Sequence, residues 1–168
     1  MALLEDDNER AESYRILAGF FAEPPDADRL RTIKEDFALE AKEPEEEVRG
    51  DFDALFAFPG GKVPPRETLY AEGGDDAESA EAFYYRSGLT FDEEYELMPD
   101  HITLEFLFMS YLIDSNNHEL QEKFLEEHLA NWVPYYCEEV IRQARTVFYR
   151  EIAGITRDFI GSEYDGLS

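Results

Sequence analysis

The chain is poor in cysteine, in lysine and in uninterrupted apolar sequence, and each scarcity closes off a class of function. Its one cysteine, Cys137, excludes an internal disulfide framework and any multi-cysteine zinc or iron–sulfur centre. Its surround, Trp132-Val133-Pro134-Tyr135-Tyr136, suits a small packed thiol rather than a reactive one. Lysine and arginine number 15, only four of them lysine, against 40 acids, which gives a net charge of -25 and a pI near 4.2. Displacing counterions from phosphates needs cations, so this balance argues against nucleic-acid binding and against attachment to an anionic membrane. The longest apolar run, Phe106 to Ile113, is interrupted by Ser110 and falls far short of the ~20 residues of a spanning helix. Met1 to Asp7 has neither the basic start nor the apolar run of an export signal, so a cytoplasmic address is expected.

Signatures of catalysis are missing too. Gly60-Gly61-Lys62 lacks the glycine spacing and the hydroxyl residue of a phosphate-binding loop, and no GxSxG elbow occurs. Carboxylates are so frequent that spacing alone picks out no catalytic pair. The sequence gives no reason to expect an enzyme or a bound cofactor.

What is present is a chain that is 43% hydrophobic and 14% aromatic over 168 residues, enough to fill the core of one domain. The periodicity is helical throughout, with no alternating strand pattern and no internal repeat. Tyr14, Leu17, Ala18 and Phe21 share one helix face, and Pro24-Pro25 ends that helix. Asp26 is a fair N-cap for a second helix with Leu30, Ile33 and Phe37. Pro44 and three glutamates open a third, with Val48, Phe52, Leu55 and Phe56 inward. Residues 59–76 are rich in glycine and proline and read as a long functional or disordered loop. A helix over 77–86 follows. Asp100 then reads as the N-cap of a helix to Ile113 that is apolar on nearly every side and therefore central. Residues 117–130 form another helix, Pro134 opens a last long one running to Ile160, and 161–168 form a flexible tail. The expectation is an all-α, single compact helical bundle of about seven to nine helices, with its core in residues 10–160.

The charge is uneven. From Glu67 to Glu127 there are 17 acids against Arg86 and Lys123, a local net of -15. A one-signed field over a cleft draws oppositely charged ligands, which favours a basic partner. A lysine-poor, acidic surface also suits a concentrated salt solvent, in which the Debye length falls to about 3 Å at molar strength.

Three histidines, His101, His118 and His128, lack the three- or four-residue spacing typical of zinc ligands on one helix. His128 fits capping or packing. Glu105 is more unusual, because it lies in the middle of the most apolar helix, where a carboxylate is costly unless paired. It follows His101 by four residues, so Asp100, His101 and Glu105 are expected to form a polar cluster at the mouth of the bundle.

Pro99-Asp100-His101-Ile102, with Leu104-Glu105-Phe106 and Met109, is similar to the P-D-H-x-x-x-E-x-x-F-M stretch of the TorD/DmsD/NarJ superfamily of redox-enzyme maturation chaperones. Pro65 to Tyr70, Tyr85 to Leu89, Phe124 to Pro134 and Phe148-Tyr149 match as well, so the resemblance runs from about residue 10 to 160. It implies a helical chaperone that binds the catalytic subunit of a molybdopterin-dependent oxidoreductase, or its basic twin-arginine leader peptide, during cofactor insertion, as a monomer or a dimer. It places client binding at Pro99, Asp100 and His101, with Tyr70 and Tyr85 nearby. Asp100, Glu105 and Glu96 are the candidate partners for the leader's arginines, with a structural role as the alternative for Glu105. The loop over 59–76 departs from several family members in lacking tryptophan, which leaves the client open. Two rival readings stand beside this one. The first is a metal-dependent hydrolase using Asp100, His101 and His118 or His128, and the second is a plain acidic helical interaction module.

Overall fold

Why the bundle assembles around one helix follows from where its apolar side chains fall. In the computed structural model, which describes residues 6–57, 59–70, 78–91 and 97–167, α5 (Ile102–Asp114) buries ten of its thirteen residues. An α-helix apolar all round has to be enclosed on every side. α1 (Asp7–Ala22) lies along α5, capped by Asp6, whose carboxylate accepts the Glu9 N–H at 2.8 Å. Tyr14, Leu17, Ala18 and Phe21 are its buried face, as their spacing predicts. α2 (Ala27–Asp36) and α3 (Glu45–Phe56) follow with the expected Asp26 cap and Pro44 start, and α4 is a short helix over Ala80–Arg86. Among the described residues there are no strands, and the all-α expectation holds.

The C-terminal half differs from expectation in three ways. α6 (His118–Phe124) continues through a π turn at Leu125–Leu129 directly into α7 (Ala130–Gln143), so Pro134 lies inside a helix instead of opening one. Burial of Leu129, Trp132, Val133 and Tyr136 keeps the chain helical past the proline. The helix then breaks where continuation was expected. Ala144 is extended, and α8 (Val147–Asp165) starts afresh from Thr146 and packs back on α7. The wholly buried Asp51 of α3 makes that corner, accepting the N–H groups of Arg145 and Thr146 at 3.1 and 2.9 Å and the Thr146 hydroxyl at 2.6 Å. Glu43 adds a second cap by accepting the N–H groups of Val147 and Phe148 at 2.8 and 3.2 Å. Finally, the expected flexible tail is helical as far as Asp165. Counting α6 and α7 as one bent rod, the described residues hold seven helices.

Of the loop expected over 59–76, residues 59–70 are described and are irregular apart from a short 3-10 turn at Glu67–Leu69; 71–76 lie outside the described residues. Gly61 turns back so closely that an added Cβ would stand 2.4 Å from the Ala57 carbonyl oxygen, which leaves room only for glycine. Tyr136 holds the next residues by donating its hydroxyl to the Val63 carbonyl at 2.6 Å.

Candidate functional site

Residues 65–68 lie against the entry to α5. The Ile102 N–H donates to the Pro65 carbonyl at 2.9 Å, the Glu67 N–H donates to the Asp100 carbonyl at 3.0 Å, and Arg66 and His101 form an isolated antiparallel bridge. Asp100 does not cap α5. Its carboxylate turns to the loop, accepting the Arg66 Nε–H at 2.9 Å and the N–H and hydroxyl of Thr68 at 3.1 and 2.6 Å. Burial raises the Asp100 pKa, but the hydrogen bonds from Thr68 and Arg66 together outweigh it and hold the carboxyl below its usual range. The cap is His101, whose Nδ1 accepts the Thr103 N–H at 3.1 Å. An accepting Nδ1 carries no proton. Burial agrees with this assignment, pushing the His101 pKa down to about 4 despite the nearby Asp100 charge.

Beneath the bridge lies a second, buried polar group. The Glu67 carboxylate meets His128 Nδ1 at 2.6 and 2.8 Å, and His128 Nε2–H donates to the Glu78 carbonyl at 2.7 Å. The Trp132 Nε1–H donates to Glu105 Oε1 at 2.9 Å, while no N–H or O–H of another residue donates to the buried Glu105 Oε2 and the carboxyl lies beside that of Glu67. Burial first, and then the charge of Glu67, drive the Glu105 pKa well above the carboxylate range, with the Trp132 bond opposing. Both effects favour the protonated form of Glu105 over the carboxylate. Tyr70 covers this group, stacked on Trp132 at 6.1 Å and edge-on to Tyr136 at 4.9 Å.

The structure thus divides the cluster expected from Asp100, His101 and Glu105. Asp100 turns to the loop and His101 caps α5, whereas Glu105 faces Trp132 and Glu67. Asp100 already holds Arg66, and Glu105 is wholly buried, so neither presents a free carboxylate to an arginine from outside. Glu96 lies outside the described residues. What the site does present is apolar. Leu69 and Met98 are half exposed, each three residues from the bridge along its own segment, and Tyr85 is 85% exposed on α4. Its neighbour Tyr84 fixes that helix to the site by donating its hydroxyl to the Pro99 carbonyl at 2.8 Å. A surface hollow of about 790 Å³ lies elsewhere, lined by Arg10, Met109, His118, Phe159 and Glu163 among others.

Sequence reasoning did not single out Glu67, and it gave His128 a capping or packing role, or a place beside Asp100 and His101 in the rival hydrolase site. A signal was available for His128, which sits among Phe124, Leu125, Leu129 and Trp132 where a lone imidazole needs a buried partner. Nothing local marks Glu67, since its partner is 61 residues away.

Comparison with known proteins extends these observations to a family. Residues 22–138 match the model of the nitrate reductase delta subunit family. A chaperone protein of Escherichia coli, YcdY, is 32% identical over 124 residues, covering 72% of this chain and 65% of its own. The Haemophilus influenzae protein named a probable Tat proofreading chaperone, DmsD, is 25% identical over 76% of this chain and 65% of its own. A perchlorate reductase assembly chaperone protein of Dechloromonas aromatica is 28% identical over 70% of this chain and 62% of its own. The chain thus spans less than two thirds of the length of each of these relatives. The crystal structure of an Archaeoglobus fulgidus protein assigned to redox enzyme maturation superposes with a TM-score of 0.59 at 21% identity, covering 90% of this chain and 93% of that one, which establishes a shared fold. The match over 22–138 takes in the bridge, the buried carboxylates, His128 and Trp132, and on that ground the chain belongs to the nitrate reductase delta subunit family, within the wider group of redox-enzyme maturation chaperones that its P-D-H segment resembles.

Proposed function

We propose that this protein is a chaperone for the catalytic subunit of a molybdopterin-dependent oxidoreductase, and that it binds the subunit's basic twin-arginine leader while the cofactor is inserted. The observation that carries the reading is family membership joined to relatives named for proofreading and reductase assembly. The surface chemistry supports it. A leader of this kind presents an apolar helix beside two guanidinium groups, and the region around the bridge offers exposed apolar side chains within the acidic half of the chain. In this proposal Leu69, Met98, Pro99 and Tyr85 receive the apolar face. Glu81, one helical turn from Tyr85 on the exposed side of α4, receives an arginine, as does Glu96. Asp100 and His101 hold the platform in place from behind, and Glu105 and Tyr70 support it from within. Exposed ion pairs contribute about 0–1 kcal/mol each, so apolar contact carries most of the affinity.

The test is co-purification from native extract with identification of the captured chains by mass spectrometry. The wild type is expected to retain a molybdopterin oxidoreductase catalytic subunit. The variant with Leu69→Ser, Met98→Ser and Tyr85→Ser is expected to lose it while keeping its helical circular dichroism. Capture that survives the triple change refutes this surface, and absence of any molybdopterin oxidoreductase subunit refutes the client class.

A further inference from the structure

Glu67, Glu105 and His128 come from a loop, a central helix and a π turn, yet each brings one oxygen or nitrogen to within 4.8 Å of the others, and all three residues are buried. We propose that these three side chains form a closed site for one divalent transition-metal ion of the zinc class. Two carboxylate oxygens and one imidazole nitrogen are a donor set that such ions take, and once the ion displaces the Glu105 proton to water, two carboxylate charges balance its own. Magnesium and calcium are poorer fits, because they require six or more oxygen ligands and usually retain water.

The surroundings are those of a metal site. His128 Nε2–H is anchored on the Glu78 carbonyl, which turns Nδ1 inward, and outer carbonyls commonly orient ligating histidines in this way. Trp132 holds Glu105 by Oε1, and the Glu105 carboxyl lies within hydrogen-bonding range of Glu67. Glu105 Oε2 is the second, independent sign of a ligand: it is wholly buried, no N–H or O–H of another residue donates to it, and an ion would take the place of the proton that the Glu105 carboxyl otherwise shares with Glu67. Tetrahedral ligand atoms at about 2.0–2.2 Å from an ion stand about 3.4 Å apart, so Glu67 and His128 would separate by under about 1 Å while Glu105 moves inward. The second Glu67 oxygen, 2.8 Å from the same imidazole nitrogen, can complete the set. Sealed from solvent, the ion would enter as the chain folds and would staple loop, helix and π turn together. This assignment is independent of the client-binding surface.

The test uses the full chain, unfolded in chelator and refolded with or without one equivalent of Zn²⁺ or Co²⁺, then desalted. One ion per chain by native mass spectrometry and elemental analysis is expected, with visible d–d bands of four-coordinate Co²⁺. The metal should raise the midpoint of unfolding by about 10 °C. Glu105→Gln, which keeps the shape and the Trp132 contact, is expected to abolish retention, as is His128→Asn. Refolded wild type that retains no ion overturns the proposal, and so does retention unchanged by Glu105→Gln, which would place the ion on surface carboxylates. If His128→Asn fails to fold, the cobalt spectrum of the wild type and the Glu105→Gln result still decide.

Discussion

Replacing Asp100 is the sharpest probe of how the loop is tied to the central helix. Asp100→Ala removes the acceptor of three hydrogen bonds, from Arg66 Nε, the Thr68 N–H and the Thr68 hydroxyl. With Asp100 largely buried, the freed donors regain water only in part. Each bond to a charged group contributes about 1.5–3 kcal/mol, and neighbouring terms do not add fully, so a loss of about 3 kcal/mol is reasonable. For a chain of this size that corresponds to a fall in the unfolding midpoint of about 6–12 °C at pH 7. Asp100→Asn keeps an oxygen for Thr68 and should fall about half as far. The pH dependence follows from the lowered pKa of the folded state. Such a carboxyl contributes stability that is fully present above its unfolded pKa of about 3.9 and is lost as pH falls through the lower folded value. The gap between wild type and Asp100→Asn should therefore hold steady from pH 7 to about 4.5 and narrow below that. Urea titrations followed by circular dichroism across this range give both numbers. An Asp100→Ala protein that melts within about 2 °C of wild type at pH 7 would refute the reasoning.

His101 acts in a higher pH window. With a folded pKa near 4 against about 6.5 unfolded, it contributes stability above pH 6.5 that drains away as pH falls toward 4. His101→Asn can still cap α5 and should remove that part of the pH dependence, which thermal melts at pH 7 and pH 5 would detect. Asp51→Ala strands two backbone N–H groups and a buried hydroxyl at the α7–α8 corner, and a loss of about 3–5 kcal/mol in denaturant unfolding is expected. Gly61→Ala forces a Cβ against the Ala57 carbonyl, and a loss of about 1–3 kcal/mol in the same assay is expected.

What was legible in the sequence, and what was not, divides by distance along the chain. The stripes of α1 and α3 and the all-round burial of α5 are properties of neighbouring residues, so spacing alone reveals them. Asp26 caps α2 as a local rule predicts. The same rule fails at Asp100, because Arg66 and Thr68, more than thirty residues away, offer its carboxylate three donors where a helix start offers one or two. The break after α7 has the same origin. Ala144 to Thr146 carry no glycine or proline, and the corner exists because Asp51 and Glu43 supply caps from about a hundred residues upstream. Glu105 in an apolar helix announced a buried polar group from composition alone. Its companions Glu67 and His128 become visible only when the loop is laid over the π turn.

One consequence of that overlay concerns what must move together when the rod of α6 and α7 shifts. Tyr70 is clamped on Trp132, and the Glu78 carbonyl is clamped by His128, so both ends of the span between them are tethered to residues one helical turn apart on a single rod. Tyr70 and Glu78 therefore share one mooring post, and a displacement of that rod would drag both of them along with it.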